Sequence, residues 1–250
     1  MKKLNYILFI ITLILSINMR VFAENGFVAI LNVPVGLSVG IPVNVNSGET
    51  LNKIGINTGV NAKLGYIFDL EKFGITPLLE LGYSYDTYAY SAFFENTLDT
   101  TRTRITLSET INAHSFQIGI IPKINIENFA IGLGFGVKIP LYLTFTYNIV
   151  MFNNNNEYSE NQNLNLDRKA IENRYSRSVI PYLKLSFDYY FAIMEKLAIG
   201  VGVYLGYDFG FPSRVYAEER LDSFNIAAQI GLRFGPGIEK VELSKIRYGF

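Results

Sequence analysis

Eight stretches of this chain alternate, residue by residue, between an uncharged set and a second set that holds the charges, and this restricts the fold more than any other feature. The longest runs from Phe129 to Tyr147. Its odd positions are Phe129, Ile131, Leu133, Phe135, Val137, Ile139, Leu141, Leu143, Phe145 and Tyr147, and its even positions include Gly132, Gly134, Gly136, Lys138 and Pro140. A run so apolar could pass for a membrane helix, but 3.6 residues per turn would mix the two sets on every face. A period of two instead sends successive side chains to opposite faces of a strand.

The pattern recurs at 27–41, 56–68, 75–87, 116–124, 179–191, 197–209 and 224–234. No position of the first set is charged. The charges Lys63, Glu80, Asp86, Lys123, Lys138, Lys184, Asp188, Asp208 and Arg233 all fall on the other face. A basic residue facing lipid at the bilayer midplane costs roughly 2 to 4 kcal/mol, whereas a lumen tolerates charge. The segregation therefore separates lipid from interior, and the fold expected is all-β: a closed up-and-down antiparallel transmembrane barrel of eight strands.

A soluble barrel with its apolar face inward fits poorly. Eight strands enclose only about enough room for their own side chains, and Phe, Leu, Ile and Val fill the uncharged face while glycines crowd the other. The connections alternate in length. Asp69 to Gly74, Asn125 to Asn128 and Ala192 to Lys196 are short, whereas Val43 to Lys53, Ser91 to Ala113, Asn148 to Ser178 and Gly210 to Ser223 are long. Short turns on one side and long loops on the other are the habit of bacterial outer-membrane barrels. Closure also removes sheet edges that a bilayer could not satisfy.

Residues 1–23 read as a cleaved leader. Lys2 and Lys3 precede an apolar core from Tyr6 to Ile17, and Val21-Phe22-Ala23 forms the cleavage site. Barrel residues are expected over 24–234, and 235–250 as a short C-terminal tail or terminal strand. The chain has no cysteine, which excludes disulfides, thiolate metal sites and a lipidated cysteine. Basic and acidic residues balance at 22 each, which gives nucleic acid no electrostatic footprint.

Taken together, strand count, loop alternation and exported context resemble the small eight-stranded outer-membrane barrels: the OmpA transmembrane domain, OmpX, the opacity-type proteins and, more loosely, OmpW. Aromatic pairs near strand ends (Tyr66 with Phe68, Tyr189 to Phe191, Phe145 with Tyr147) sit where interfacial girdles belong. Gln229, Gly231 and Phe234 resemble the family's closing-strand signal. The resemblance implies a place in the cell outer membrane, contact with outer-membrane lipid and lipopolysaccharide-type lipid, and handling by the barrel assembly machinery. The sixteen residues after Phe234 depart from the family's habit of ending at that aromatic residue.

Chemistry is sparse. His114 is the only histidine, and its neighbour Ser115 falls on the opposite face, so the two do not make a nucleophile and base. No cofactor, metal site or catalytic residue is expected, and the chain reads as a non-enzyme. Lys63 and Glu80 lie equally far from the turn at 70–72, which makes them cross-strand neighbours. The charged set is expected to form an ion-pair network that plugs the lumen, leaving envelope structure or adhesion through 91–113 and 148–178, with a host or surface ligand, as the function. A narrow pore or a hydrophobic-solute conduit is the alternative, and a lipid A modifying enzyme a distant third.

Overall fold

The computed structural model describes residues 25–44, 49–70, 73–98, 101–153, 156–212 and 220–236. The expected leader and the tail beyond 236 lie outside the described residues. The elements are β1 (Gly26–Val43), β2 (Glu49–Asn52), β3 (Ile54–Asp69), β4 (Gly74–Leu98), β5 (Thr101–Ile126), β6 (Phe129–Asn153), β7 (Asn156–Asp167), α1 (Arg168–Arg174), β8 (Ile180–Met194), β9 (Leu197–Asp208) and β10 (Arg220–Phe234). Neighbouring strands pair antiparallel in the order β1, β3, β4, β5, β6, β8, β9, β10, and the ring closes where β10 pairs β1 from Ala29↔Phe234 to Val43↔Arg220. The molecule is thus a closed eight-stranded barrel. The other two strands sit outside the ring: β2 pairs the upper part of β4, and β7 folds back on β6.

Tight turns mark one rim. Leu70 N–H donates to the Phe73 carbonyl at 2.9 Å, and between Ile126 and Phe129 the loop holds Glu127 at a φ of 52°, the positive value that a two-residue hairpin demands. On the outer wall the uncharged set forms an apolar belt in which Phe27, Val35, Leu64, Leu133, Phe135 and Ile230 are all exposed. From Ile75 to Tyr85 the belt spans a strand rise of about 25 Å, taking ~3.3 Å per residue and a tilt near 40°, the height of a hydrocarbon core crossed by a barrel. Aromatic girdles bound it. Near the turns, Phe27 meets Tyr66 at 5.6 Å and Phe129 meets Tyr189 at 4.7 Å between ring centroids. At the other rim, His114 lies among Tyr83, Tyr85 and Tyr142, and Tyr207 meets Phe209 at 5.0 Å.

One expectation about faces fails in β6. Opposite β6, His114 pairs with Tyr142 and Ser115 with Pro140, so Leu141 is an extra residue. Pro140 has no N–H to continue the ladder, and a bulge is where a strand accommodates that loss. The bulge inverts the phase. Leu143 and Phe145, read as facing lipid, are buried inside at 0% and 1% exposure, and Tyr142 turns outward. Phe145 and Tyr147 accordingly belong to no girdle; they stack on each other at 6.1 Å inside.

The expected loops are corrected as well. Most of 91–113 is strand, because β4 and β5 stay paired from Gly74↔Asn125 up to Leu98↔Thr101. The segment 148–178 holds the end of β6, all of β7 and α1. These extensions carry apolar residues on the inward face, since no bilayer flanks them and the only dry place is above the lumen. Tyr88, Tyr90, Ile111, Leu143, Phe145, Ile171, Tyr175, Ile180 and Phe211 form one buried cluster, with Ile171 of α1 fully enclosed. Asp167 caps α1 by accepting from Ala170 N–H at 2.8 Å, and Arg168 ties the helix to the Pro140 and Ser178 carbonyls at 3.2 and 2.8 Å.

Within this roof, Glu109 accepts from Tyr90 Oη at 3.0 Å. Burial pushes its carboxyl above the ordinary range, offset in part by the Tyr90 hydrogen bond and by the nearby Arg174 guanidinium. A carboxyl raised on folding favours the folded state while protonated. The stability it contributes is complete below the unfolded value near 4.5 and is lost as pH rises through the folded value. Hydrogen exchange of 168–174, corrected for intrinsic rates, should show α1 opening more readily as pH rises through that window, and Glu109→Gln should flatten the trend. An unchanged trend in the variant would assign the dependence to another group.

Candidate functional site, an ionic lumen

Every inward position along the transmembrane stretch is decided by strand phase, so the charged residues converge on the barrel axis. Five cations (Lys63, Lys123, Lys138, Lys184, Arg233) and four anions (Glu80, Asp86, Asp188, Asp208) are each at most 6% exposed. They fall into layers, and at the turn end Lys123 and Arg233 are interleaved with an apolar cluster of Val28, Ile30, Ile67, Leu78, Ile121 and Tyr190.

The lower layer has two centres. Asp188 receives Lys123 Nζ at 2.5 Å and Gln229 Nε2 at 2.5 Å, and Lys123 also reaches Tyr190 Oη at 3.2 Å. Glu80 is the second. Lys184 Nζ lies 3.1 Å from both its oxygens, Lys63 Nζ lies 3.8 Å away from the adjacent strand, and Gln117 and Tyr182 donate at 2.5 and 2.8 Å. Lys63 and Glu80 are register partners. With its amide turned, Asn32 accepts from Lys63 Nζ at 3.0 Å as well. The Tyr182 hydroxyl fits only because Gly119 is opposite: a Cβ there would stand 2.1 Å from Oη. Arg233 closes the lower end with its guanidinium 4.8 Å over the Tyr190 ring and a 2.9 Å bond to the Pro236 carbonyl.

Lys138 organises the upper layer. Its ammonium lies 2.7 Å from Asp208 Oδ2 and 3.0 Å from Asp86 Oδ1, drawing together β6, β9 and β4. Asp208 also accepts from Asn225 at 2.9 Å and from Tyr88 at 3.2 Å. Asp86 accepts from Asn57, which in turn accepts from Tyr204. The Lys184 ammonium sits 4.9 Å over the Tyr204 ring and links the two layers. A cavity of about 10 Å³ lies between them, and one water needs roughly 10 to 15 Å³.

All nine sequence-chosen charges are therefore brought into one column. Sequence reasoning passed over the neutral partners: Gln117, Tyr182, Asn57, Tyr204, Tyr88 and Asn225. They share the inward phase of the charges, and that phase was the available signal. The closing-strand residues occupy β10, with Gln229 inside on Asp188 and Phe234 exposed on the wall. Gly231 lies where a Cβ would meet the Leu31 carbonyl at 2.0 Å.

His114 Nδ1 is 2.5 Å from Tyr83 Oη on the outer wall, while Ser115 is buried on the inner face. Among the described residues, no three His, Asp or Glu side chains group as a metal site.

No protein-family model matches the chain, and no curated protein does. Among solved structures it is similar to Ail, the attachment invasion locus protein of Yersinia pestis, at 11% identity and a TM-score of 0.33 over 84% of this chain and 99% of that one. Neisserial surface protein A is similar at 9% identity and a TM-score of 0.28, covering 84% and 99%. The outer membrane protease OmpT of Escherichia coli is similar at 8% identity and a TM-score of 0.32, covering 88% and 100%. Superpositions this loose carry nothing about activity, and the architecture rests on the strand pairing given above.

Proposed function

We propose that the protein is an integral outer-membrane barrel that acts by surface interaction and envelope structure, with its lumen plugged. The observation that carries this reading is the filled axis: two hydrogen-bonded ionic layers, interleaved with apolar side chains at the turn end and covered by an apolar roof at the other, with a cavity of about 10 Å³ between the layers. Breaking a buried ion pair by removing one partner costs several kcal/mol, so the column resists opening. What remains available to partners is the part that rises beyond the girdle. The β4–β5 hairpin continues thirteen residues past Tyr85, from 86 to 98, which lifts its tip about 30 Å above the aromatic ring, at ~3.3 Å per residue and a tilt near 40°. Rigid strands that carry exposed tips are a common recognition scaffold.

Trypsin applied to intact cells tests this orientation. Arg104 is 53% exposed near the hairpin tip, and Lys169 lies on α1, whereas the lumen lysines are enclosed. Cleavage near 104 and 169 on intact cells, with a protected barrel core, is the expected result. Cleavage there only after the cells are permeabilised would turn the barrel over and remove the surface role.

A further inference from the structure

Where the outer wall meets the upper girdle, two arginines stand side by side between β8 and β10. Arg177 donates to the Phe209 and Gly210 carbonyls at 3.0 and 2.9 Å and to the Val179 carbonyl at 3.1 Å, which fixes it at the top of β9. Arg220 opens β10 and holds Asp222 through Nε at 2.9 and 3.1 Å. Asp222 is fully buried and is bound in addition by Tyr207 Oη at 2.7 Å and Gly210 N–H at 2.9 Å. Asp222 thus pairs with Arg220 and is only a nearby charge to Arg177. The mutual repulsion of the two guanidinium groups, after burial, helps to lower the Arg177 value. The aromatic pair Tyr207 and Phe209 lies directly beneath.

We infer that Arg177 and Arg220 form a binding site for a phosphate group carried by a lipid of the outward-facing leaflet. Height, charge and chemistry agree. Aromatic girdles lie at headgroup level, so groups just above Tyr207 and Phe209 meet phosphates and not acyl chains. The pair carries one net positive charge with Asp222 counted. A guanidinium presents a planar fork of donors suited to phosphate oxygens, and the carbonyls at 179, 209 and 210 hold Arg177 in place before a ligand arrives. Arg220 holds Asp222 through Nε and also contacts Tyr207, and its side chain is 39% exposed.

The inference rests on the membrane-embedded reading of the barrel, and the two fail differently. Full-length protein would be reconstituted in nanodiscs of phosphatidylcholine containing a small fraction of diphosphorylated lipid A, and lipid retained after detergent extraction would be counted by native mass spectrometry. Wild type should retain lipid A, and Arg177→Gln/Arg220→Gln should retain about thirtyfold less, as expected when two basic groups leave a membrane surface. Dephosphorylated lipid A should be retained no better by wild type than by the variant. Heat-modifiable gel mobility must show both proteins folded; should the double variant fail to fold, Arg177→Gln alone, which leaves the Arg220–Asp222 pair intact, carries the test. Equal retention by folded wild type and variant would overturn the site. Equal protection by inorganic phosphate alone would overturn its assignment to a lipid. A protein that never enters the nanodisc would instead overturn the embedded reading.

Discussion

Lys138→Met should lower the unfolding free energy of the barrel by about 3 to 5 kcal/mol, among the largest effects of any single substitution in the chain. The change is nearly neutral in volume, so the loss is electrostatic. Asp86 and Asp208, both enclosed, would face each other across the axis with no ammonium between them. Urea titration in phosphatidylcholine vesicles measures this, followed by circular dichroism because the chain has no tryptophan. Lys138→Met/Asp86→Asn/Asp208→Asn should recover most of the loss, since a buried charge cluster replaced as a whole is often close to neutral. A loss below about 1 kcal/mol in the single variant would mean that the carboxylates reach water, against the proposed plug.

Glu80→Ala should cost a similar 3 to 5 kcal/mol for the opposite reason. It would leave the Lys63 and Lys184 ammonium groups without their shared carboxylate, and Gln117 and Tyr182 without an acceptor. The partners come from three strands, so the effect should be strongly non-additive. Glu80→Ala with Lys184→Met should lose less than the sum of the two single changes, by ~1 to 3 kcal/mol of coupling. Strict additivity would show that the 3.1 Å contact contributes nothing in the bilayer. Removing this carboxylate also opens space beside the cavity between the layers, so it is the single change with the best chance of creating a leak.

The barrel was legible because a period of two needs only neighbouring residues to be read, and exclusion of charge from one phase identifies the lipid side. The Lys63 and Glu80 pairing could be counted from a turn, since both flank one hairpin. Lys138 with Asp208 and Lys184 with Glu80 could not. These pairs cross the lumen over sequence separations of 70 and 104, and their meeting depends on how the closed sheet is sheared, which no local pattern encodes. The β6 bulge was hidden for another reason: Leu141, Leu143, Phe145 and Tyr147 continue an apolar alternation unbroken, while the ladder beneath them slips by one residue at Pro140. The roof was missed because its inward residues Tyr88, Tyr90 and Ile111 share their face with Glu109 and alternate with Ser91, Ser108 and Thr110, a composition that reads as loop. Burial there is supplied by α1 and by Phe211, both remote in sequence.

The central claim is that buried ion pairs close the lumen, and planar-bilayer recording of the full-length protein tests it most directly. The filled axis predicts a silent bilayer for wild type, with no large and stable conductance at any applied potential. A reproducible open channel with steady unitary steps in wild type would contradict the plug and favour a pore.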